Sequence, residues 1–138
     1  MAEKKKYSML VLSNPTEGQE EEYIDWYVGQ HFHDLLRIPG YVGGRYYKLS
    51  DIQLGSEPHK YQYLVIWDFE TEDFQAVKED IAARMKDGRT QFIPAFDMAY
   101  WDGTFEPITK YVTSEEIKGL SVDEVHAITE VENPYRKA

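Results

Sequence analysis

Cysteine is absent from the 138 residues. Disulfides, thiolate nucleophiles and cysteine-based zinc sites are therefore excluded. Positive charge is scarce: 15 Lys and Arg stand against 25 Asp and Glu, for a net charge of −10. That balance argues against broad binding to nucleic acid or to an anionic membrane surface. The one basic cluster, Lys4-Lys5-Lys6, is too short to change this. No apolar run approaches a membrane span, and the N-terminus lacks the apolar stretch of a signal peptide. A cytoplasmic protein is expected. Gly-rich phosphate loops, a nucleophile elbow and a dinucleotide fingerprint are also missing, as are internal repeats and low-complexity segments.

Aromatic residues are plentiful, with 3 Trp, 11 Tyr and 6 Phe. Tyrosine in such number suits half-buried surfaces, in cavities and interfaces. The length fits one domain, expected over residues 5–112, with an arm over residues 113–138.

The stretch from Thr16 to Tyr41 reads as one amphipathic helix closed by Pro39-Gly40. Thr16 and Gln19 have capping-box spacing, and Glu17, Glu20, Glu21 and Glu22 suit the positive end of the helix dipole. At about 100° per residue, Ile24, Val28, His31 and Leu35 form one stripe. An imidazole thus sits inside an apolar face, with Tyr27 one turn before it and Asp34 three residues after. By the same count His33, Trp26 and Arg37 point away.

Strands are expected at Lys6–Ser13, Tyr41–Leu49, Lys60–Phe69 and Phe96–Trp101, with a short edge strand at Thr104–Val112 limited by Pro107. In the first, Tyr7, Met9 and Val11 face one way, and Ser8, Leu10 and Leu12 the other. In the third, Tyr61, Tyr63, Val65 and Trp67 share a face, opposite Leu64 and Ile66. Gly43-Gly44 signals a bulge or a close backbone approach. A second helix is expected over residues 72–87, capped by Thr71 and stopped by Gly88, with Phe74, Val77, Ile81 and Arg84/Met85 inward. Ser121 and Glu124 have the spacing to cap a short helix in the arm.

The order β-α-β-β-α-β is the ferredoxin-like arrangement, an α+β fold. Two helices cover one face of a four-stranded antiparallel sheet. The other face keeps large apolar side chains, and its simplest cover is the same face of a second subunit. A homodimer is therefore expected, with the arm free to wrap the partner.

The run from Asn14 to Leu49 resembles the dimeric α/β-barrel superfamily, in particular its EthD-like members. The matching residues are Asn14-Pro15, Gly18, Glu22, Trp26-Tyr27, His31, Leu35, Ile38-Pro39-Gly40 and Arg45. The resemblance is clear over residues 7–49, loose to residue 112, and does not reach the arm. It implies two sheets paired in a dimeric barrel and marks His31 as the position to watch. The group is mixed: cofactor-free oxygenases, isomerases and cyclases of aromatic or polyketide-like compounds, haem enzymes, and members without assigned activity. It implies no particular reaction.

His31 has two readings. It is a general acid/base at a pocket between helix and sheet, its usual pKa of about 6.5 suiting proton transfer at neutral pH. Or it is a buried histidine bonded to a carbonyl or a tyrosine. Asp34 orients or charges the ring, or is simply solvated. Tyr27 polarises a substrate oxygen, or is aromatic core. Arg45, Tyr7, Tyr63 and Trp67 are the candidate substrate-binding residues of the sheet, though alternation lets only about half of such residues face one side. His126 and Tyr135 in the arm either close a partner's pocket or clasp the dimer. His31 and His33, at i and i+2, diverge on a helix and cannot share an ion. No metal and no organic cofactor is expected. The reading is a small cofactor-independent enzyme moving a proton on an aromatic or polyketide-like carbonyl compound: an isomerase, cyclase, lyase or cofactor-free oxygenase. The alternative is a non-catalytic dimeric module holding a hydrophobic ligand or a protein partner.

Overall fold

The structure, a computed structural model, describes residues 3–136. It forms two compact units that divide between Phe105 and Glu106.

In the first unit, β1 (Lys5–Ser13), β2 (Tyr41–Lys48), β3 (Tyr63–Thr71) and β4 (Trp101–Phe105) make one sheet in the order β2-β3-β1-β4. All three pairings are antiparallel. Strand alternation sets the faces. Met9 lies opposite Trp67, Val11 opposite Val65 and Tyr7 opposite Phe69, so these six share one side. Helical residues cover that side: Tyr23, Trp26, Tyr27 and Leu35 join Val11, Val65 and Trp67 in the core. Burying each of the large apolar side chains contributes about 1.5–3 kcal/mol. This is the α+β, ferredoxin-like fold expected from the order of elements.

Gly43-Gly44 does both things glycine pairs do in strands. The β2–β3 register shifts between Tyr41 and Gly43. At Gly44 a Cβ would stand 2.7 Å from the Trp67 ring, so only glycine lets that indole lie against β2. The Ile38-Pro39-Gly40 turn ends the helical segment. Gly40 has φ of +101°, and its carbonyl accepts from the Glu70 amide at 2.8 Å.

The helical segment departs from the expected single helix. It runs as α1 (Glu20–Trp26), a π-helical turn (Tyr27–His31) and α2 (Phe32–Leu35). A π turn closes i→i+5 hydrogen bonds and shifts the phase of everything after it. Trp26, expected to point out, is buried, and Val28, expected in the stripe, is 51% exposed. Thr16 does not cap this helix. Its amide donates to the Ala95 carbonyl and its hydroxyl to that of Pro94, tying the loop to residues 94–95.

The next helix, α3 (Phe74–Lys86), is capped by Asp73 rather than Thr71. The Asp73 carboxylate accepts from the Ala76 amide at 3.2 Å. The Thr71 hydroxyl instead accepts from the Asp73 amide at 3.0 Å, shaping the approach. Gly88 follows the helix end as expected, with φ of +88°.

The fourth strand lies later than expected. Residues 97–100 lie outside the sheet, with the Asp97 carboxylate accepting from the Ala99 amide, and Phe96 bridges to Pro15. Pairing with β1 begins only at Trp101, opposite Leu12, and takes in Asp102 and Gly103, both poor strand formers. Among the described residues there is no strand over 104–112 beyond the end of β4.

In the second unit, α4 (Ser114–Ile117) and α5 (Val122–Ile128) each open with a complete capping box, Thr113/Glu116 and Ser121/Glu124. The second was expected and the first was not. The Lys110 amide donates to the Thr129 carbonyl, and that of Glu132 to the Ile108 carbonyl, closing the unit on itself.

Candidate functional site

The π turn brings Trp26 and His31 together. In an α-helix a separation of five residues is about 140° of rotation, which parts two side chains. Here the rings stack, centroids 4.4 Å apart and planes 22° from parallel. Tyr27 meets the imidazole edge-on at 5.0 Å, and Trp67 does so at 5.7 Å from the sheet. His31 is therefore boxed by aromatic faces and is 8% exposed.

This box governs its charge. Burial strips water from the imidazolium and pushes the His31 pKa down to about 4, while the negative Asp34 pulls it up less strongly. The ring is neutral at physiological pH. Its Nδ1 is buried and has no hydrogen-bond partner.

His31 lines a cavity of about 180 Å³ between the helical layer and the sheet. Tyr27, Trp67 and Leu35 form its wall beside the imidazole. Burial raises the Tyr27 phenol well above its usual pKa, so it keeps its proton. Phe92, Phe96 and Tyr100 also line it, with Arg84, Thr90, Gln91 and Asp102 as further polar residues. The Arg84 Nε donates to the Asp80 carboxylate at 3.0 Å, the i,i+4 pair of a helix. Thr90 is placed by its own amide, which donates to the Arg84 carbonyl at 3.1 Å just past the end of α3.

Of the residues proposed from sequence, His31, Tyr27 and Trp67 come together on this cavity. Asp34 is buried beside it with its carboxylate engaged elsewhere, accepting from Gln30 Nε2 at 2.8 Å and lying 3.2 Å from His33 Nδ1. Tyr7 and Tyr63 face the helices but do not line the cavity. Tyr7 stacks on Phe69 and meets Phe74; Tyr63 stacks on Tyr46 and meets Tyr23. Arg45 is exposed; it pairs with Ile66 and so stands on the opposite face of the sheet. The cavity's polar residues Thr90, Gln91 and Asp102 were not foreseen. Arg84 had been placed on the inward stripe of the second helix, and that was the available signal.

Among the described residues, no group of three or more His, Asp or Glu is arranged to hold a metal ion. Nor is any helix of the described residues long and apolar enough to cross a membrane.

No family model matches the chain, and no curated protein matches its sequence. Solved structures do match its fold. One is a DABB family protein with a ferredoxin-like fold from Mesorhizobium loti: 14% identity, TM-score 0.50, covering 75% of this chain and 97% of that one. A second is a candidate monooxygenase from Shewanella loihica: 15% identity, TM-score 0.51, covering 76% and 96%. A third is an MhuD variant with two manganese protoporphyrin IX molecules per active site: 17% identity, TM-score 0.51, covering 78% and 99%. At these identities the likeness concerns the fold alone. It gives this chain the ferredoxin-like fold.

Proposed function

We propose that the protein is a small enzyme that moves a proton on an aromatic or polyketide-like carbonyl compound, with His31 as the base. The observation that carries this is the imidazole itself: buried, neutral, and on the wall of an apolar cavity that also holds polar groups. A packed seam around His31 would have favoured a purely structural role. A neutral imidazole offers one lone pair and one N–H. The lone pair takes a proton from the carbon next to a carbonyl. Tyr27, protonated at neutral pH, donates to the enolate oxygen that forms. Asp34 acts on His31 through its charge and not through a hydrogen bond to the ring. Isomerisation, cyclisation, decarboxylation and cofactor-free oxygenation all pass through such a stabilised carbanion.

A porphyrin does not fit this reading. Pockets for drug-sized ligands measure roughly 300–1,000 Å³, and this cavity is about 180 Å³.

The EthD-like group remains the subgroup that the Trp26-Tyr27, His31 and Ile38-Pro39-Gly40 pattern favours, and a cytoplasmic homodimer is the assembly proposed. The sheet face opposite the helices carries Leu10, Leu12, Leu64 and Ile66, half-buried, with Trp101 and Phe105 exposed. That is a large apolar patch for a monomer.

The test is deuterium exchange at the α-carbons of aromatic ketones and β-keto compounds, followed by NMR in heavy water. Wild type should accelerate exchange for one chemical class. His31→Gln should lose about 10²–10⁴-fold of that rate. Undiminished exchange in His31→Gln would remove the base. Binding without exchange of any compound would favour the alternative, a module that holds a hydrophobic ligand.

A further inference from the structure

The cavity beside His31 has a buried end and an exposed end. His31, Tyr27, Trp67, Leu35, Ile38 and Phe96 line it and are all buried. Met85, Gln91 and Asp102 also line it and are exposed, Met85 at 40%. A side chain that lines a cavity and also meets water marks where the wall gives out. These come from the last turn of α3, the loop that follows it, and β4. Asp102 stands on the cavity side of the sheet because it pairs with Val11, which is itself on the wall.

The backbone around the exposed end is braced. The Thr90 amide donates to the Arg84 carbonyl at 3.1 Å across the end of α3. The Asp87 carboxylate accepts from the Arg89 amide at 3.0 Å and from its Nε at 2.8 Å. Pairing with β1 fixes the backbone of Asp102. Side chains are what can move here. Met85 is unbranched, and its soft thioether chain adapts to its neighbours. The Gln91 amide rests over Gly88, where a Cβ would stand 3.1 Å from Gln91 Nε2. Rotation about its side-chain bonds swings that amide off the glycine without moving the loop. The buried end is backed differently. Trp26 stacks on His31, and Phe32 meets Trp67 edge-on at 5.0 Å. Rings packed in this way part only when the core opens.

We infer that ligands reach His31 through the end of the cavity bounded by Met85, Gln91 and Asp102, and that the Met85 and Gln91 side chains are the gate that decides which ligands pass. The inference rests on the cavity being a ligand site, as proposed above, and adds the residues that control access to it. A group that obstructs passage without touching the seated ligand raises the barrier equally in both directions. It changes the rates of entry and exit together and leaves the affinity as it was.

The test is fluorine NMR exchange spectroscopy on the full chain with fluorobenzene as the probe. An engineered cavity of about 150 Å³ admits benzene, so a space of about 180 Å³ has room for it. Overhauser contacts to the Leu35 and Ile38 methyl groups should place the probe at the buried end. Met85→Trp and Gln91→Trp should each slow association and dissociation about fivefold or more, with Kd within about threefold of wild type. Met85→Ala, the opposite change, should speed both. Val28→Trp, at an exposed position on the π turn and off the cavity wall, should change neither. Wild-type rates in both gate tryptophan variants overturn the gate and leave the ligand site standing. So does a Kd that rises with dissociation alone, which would make Met85 and Gln91 part of the seat. A wild-type protein that binds no fluorobenzene overturns the gate together with the reading of the cavity as a ligand site.

Discussion

At the scale of single residues, the behaviour of His31 with pH is the sharpest consequence of its surroundings. The unfolded chain takes up a proton on this ring near pH 6.5, the native chain only near 4. Above pH 6.5 both states hold the neutral ring, and His31 gives no pH dependence. Between 6.5 and 4 the unfolded state binds a proton that the native state refuses, so stability falls as pH falls. Below 4 both are protonated and the loss levels off, at a total on the order of 3 kcal/mol. Urea unfolding of wild type and His31→Gln across pH 3.5–8 should show a stability difference that is flat above pH 7 and shifts against wild type between 6.5 and 4. A difference constant over the whole range would mean that the ring is hydrated. The same cause places the acid limb of any His31-dependent rate near pH 4 and not near 6.5.

At the scale of elements, close contacts decide what each segment tolerates. Gly44→Ala puts a methyl group 2.7 Å from the Trp67 ring, which itself forms a wall of the cavity. Overpacking of this kind costs about 1–3 kcal/mol. Denaturant titration should find that loss, and Trp67 emission should shift as the indole moves. At the start of α3, the Asp73 carboxylate satisfies an otherwise unpaired helix amide. Asp73→Ala should cost about 0.5–2 kcal/mol, and Asp73→Ser should recover most of it, by the same measurement. The π turn belongs to this scale too. Its i→i+5 geometry is what lets Trp26 lie flat on His31.

At the scale of the whole molecule, the outer sheet face sets the expected assembly. Leu64 and Ile66 in β3 stand beside Leu12 and Leu10 of β1, in the two central strands of the sheet. A second copy of this face would cover them. Analytical ultracentrifugation of wild type should give a dimer at micromolar concentration. Leu64→Glu, which buries a carboxylate in that interface, should give a monomer that keeps its far-ultraviolet circular dichroism. A wild-type monomer at 100 µM would leave the face without this role.

Local periodicity is written in the chain, and what depends on it alone was legible there. Alternation in Lys6–Ser13 and Lys60–Phe69 grouped Tyr7, Met9 and Val11 on one face and Tyr63, Val65 and Trp67 on one face, and the pairing puts both groups on the same side. Glycine chemistry marked the bulge at Gly43-Gly44, the Ile38-Pro39-Gly40 turn and the stop at Gly88. The inward turn of His31 also followed from spacing. Tertiary structure decided the rest. A constant 100° per residue cannot foresee a π turn, so Trp26 moved inward and Val28 outward. Strand register, set by β3 pairing, sent Arg45 to the far face. Thr90, Phe92 and Tyr100, which also line the cavity, lie some sixty residues from His31 along the chain. No local pattern can join segments so far apart; only the packing of helices on the sheet brings them to the same space.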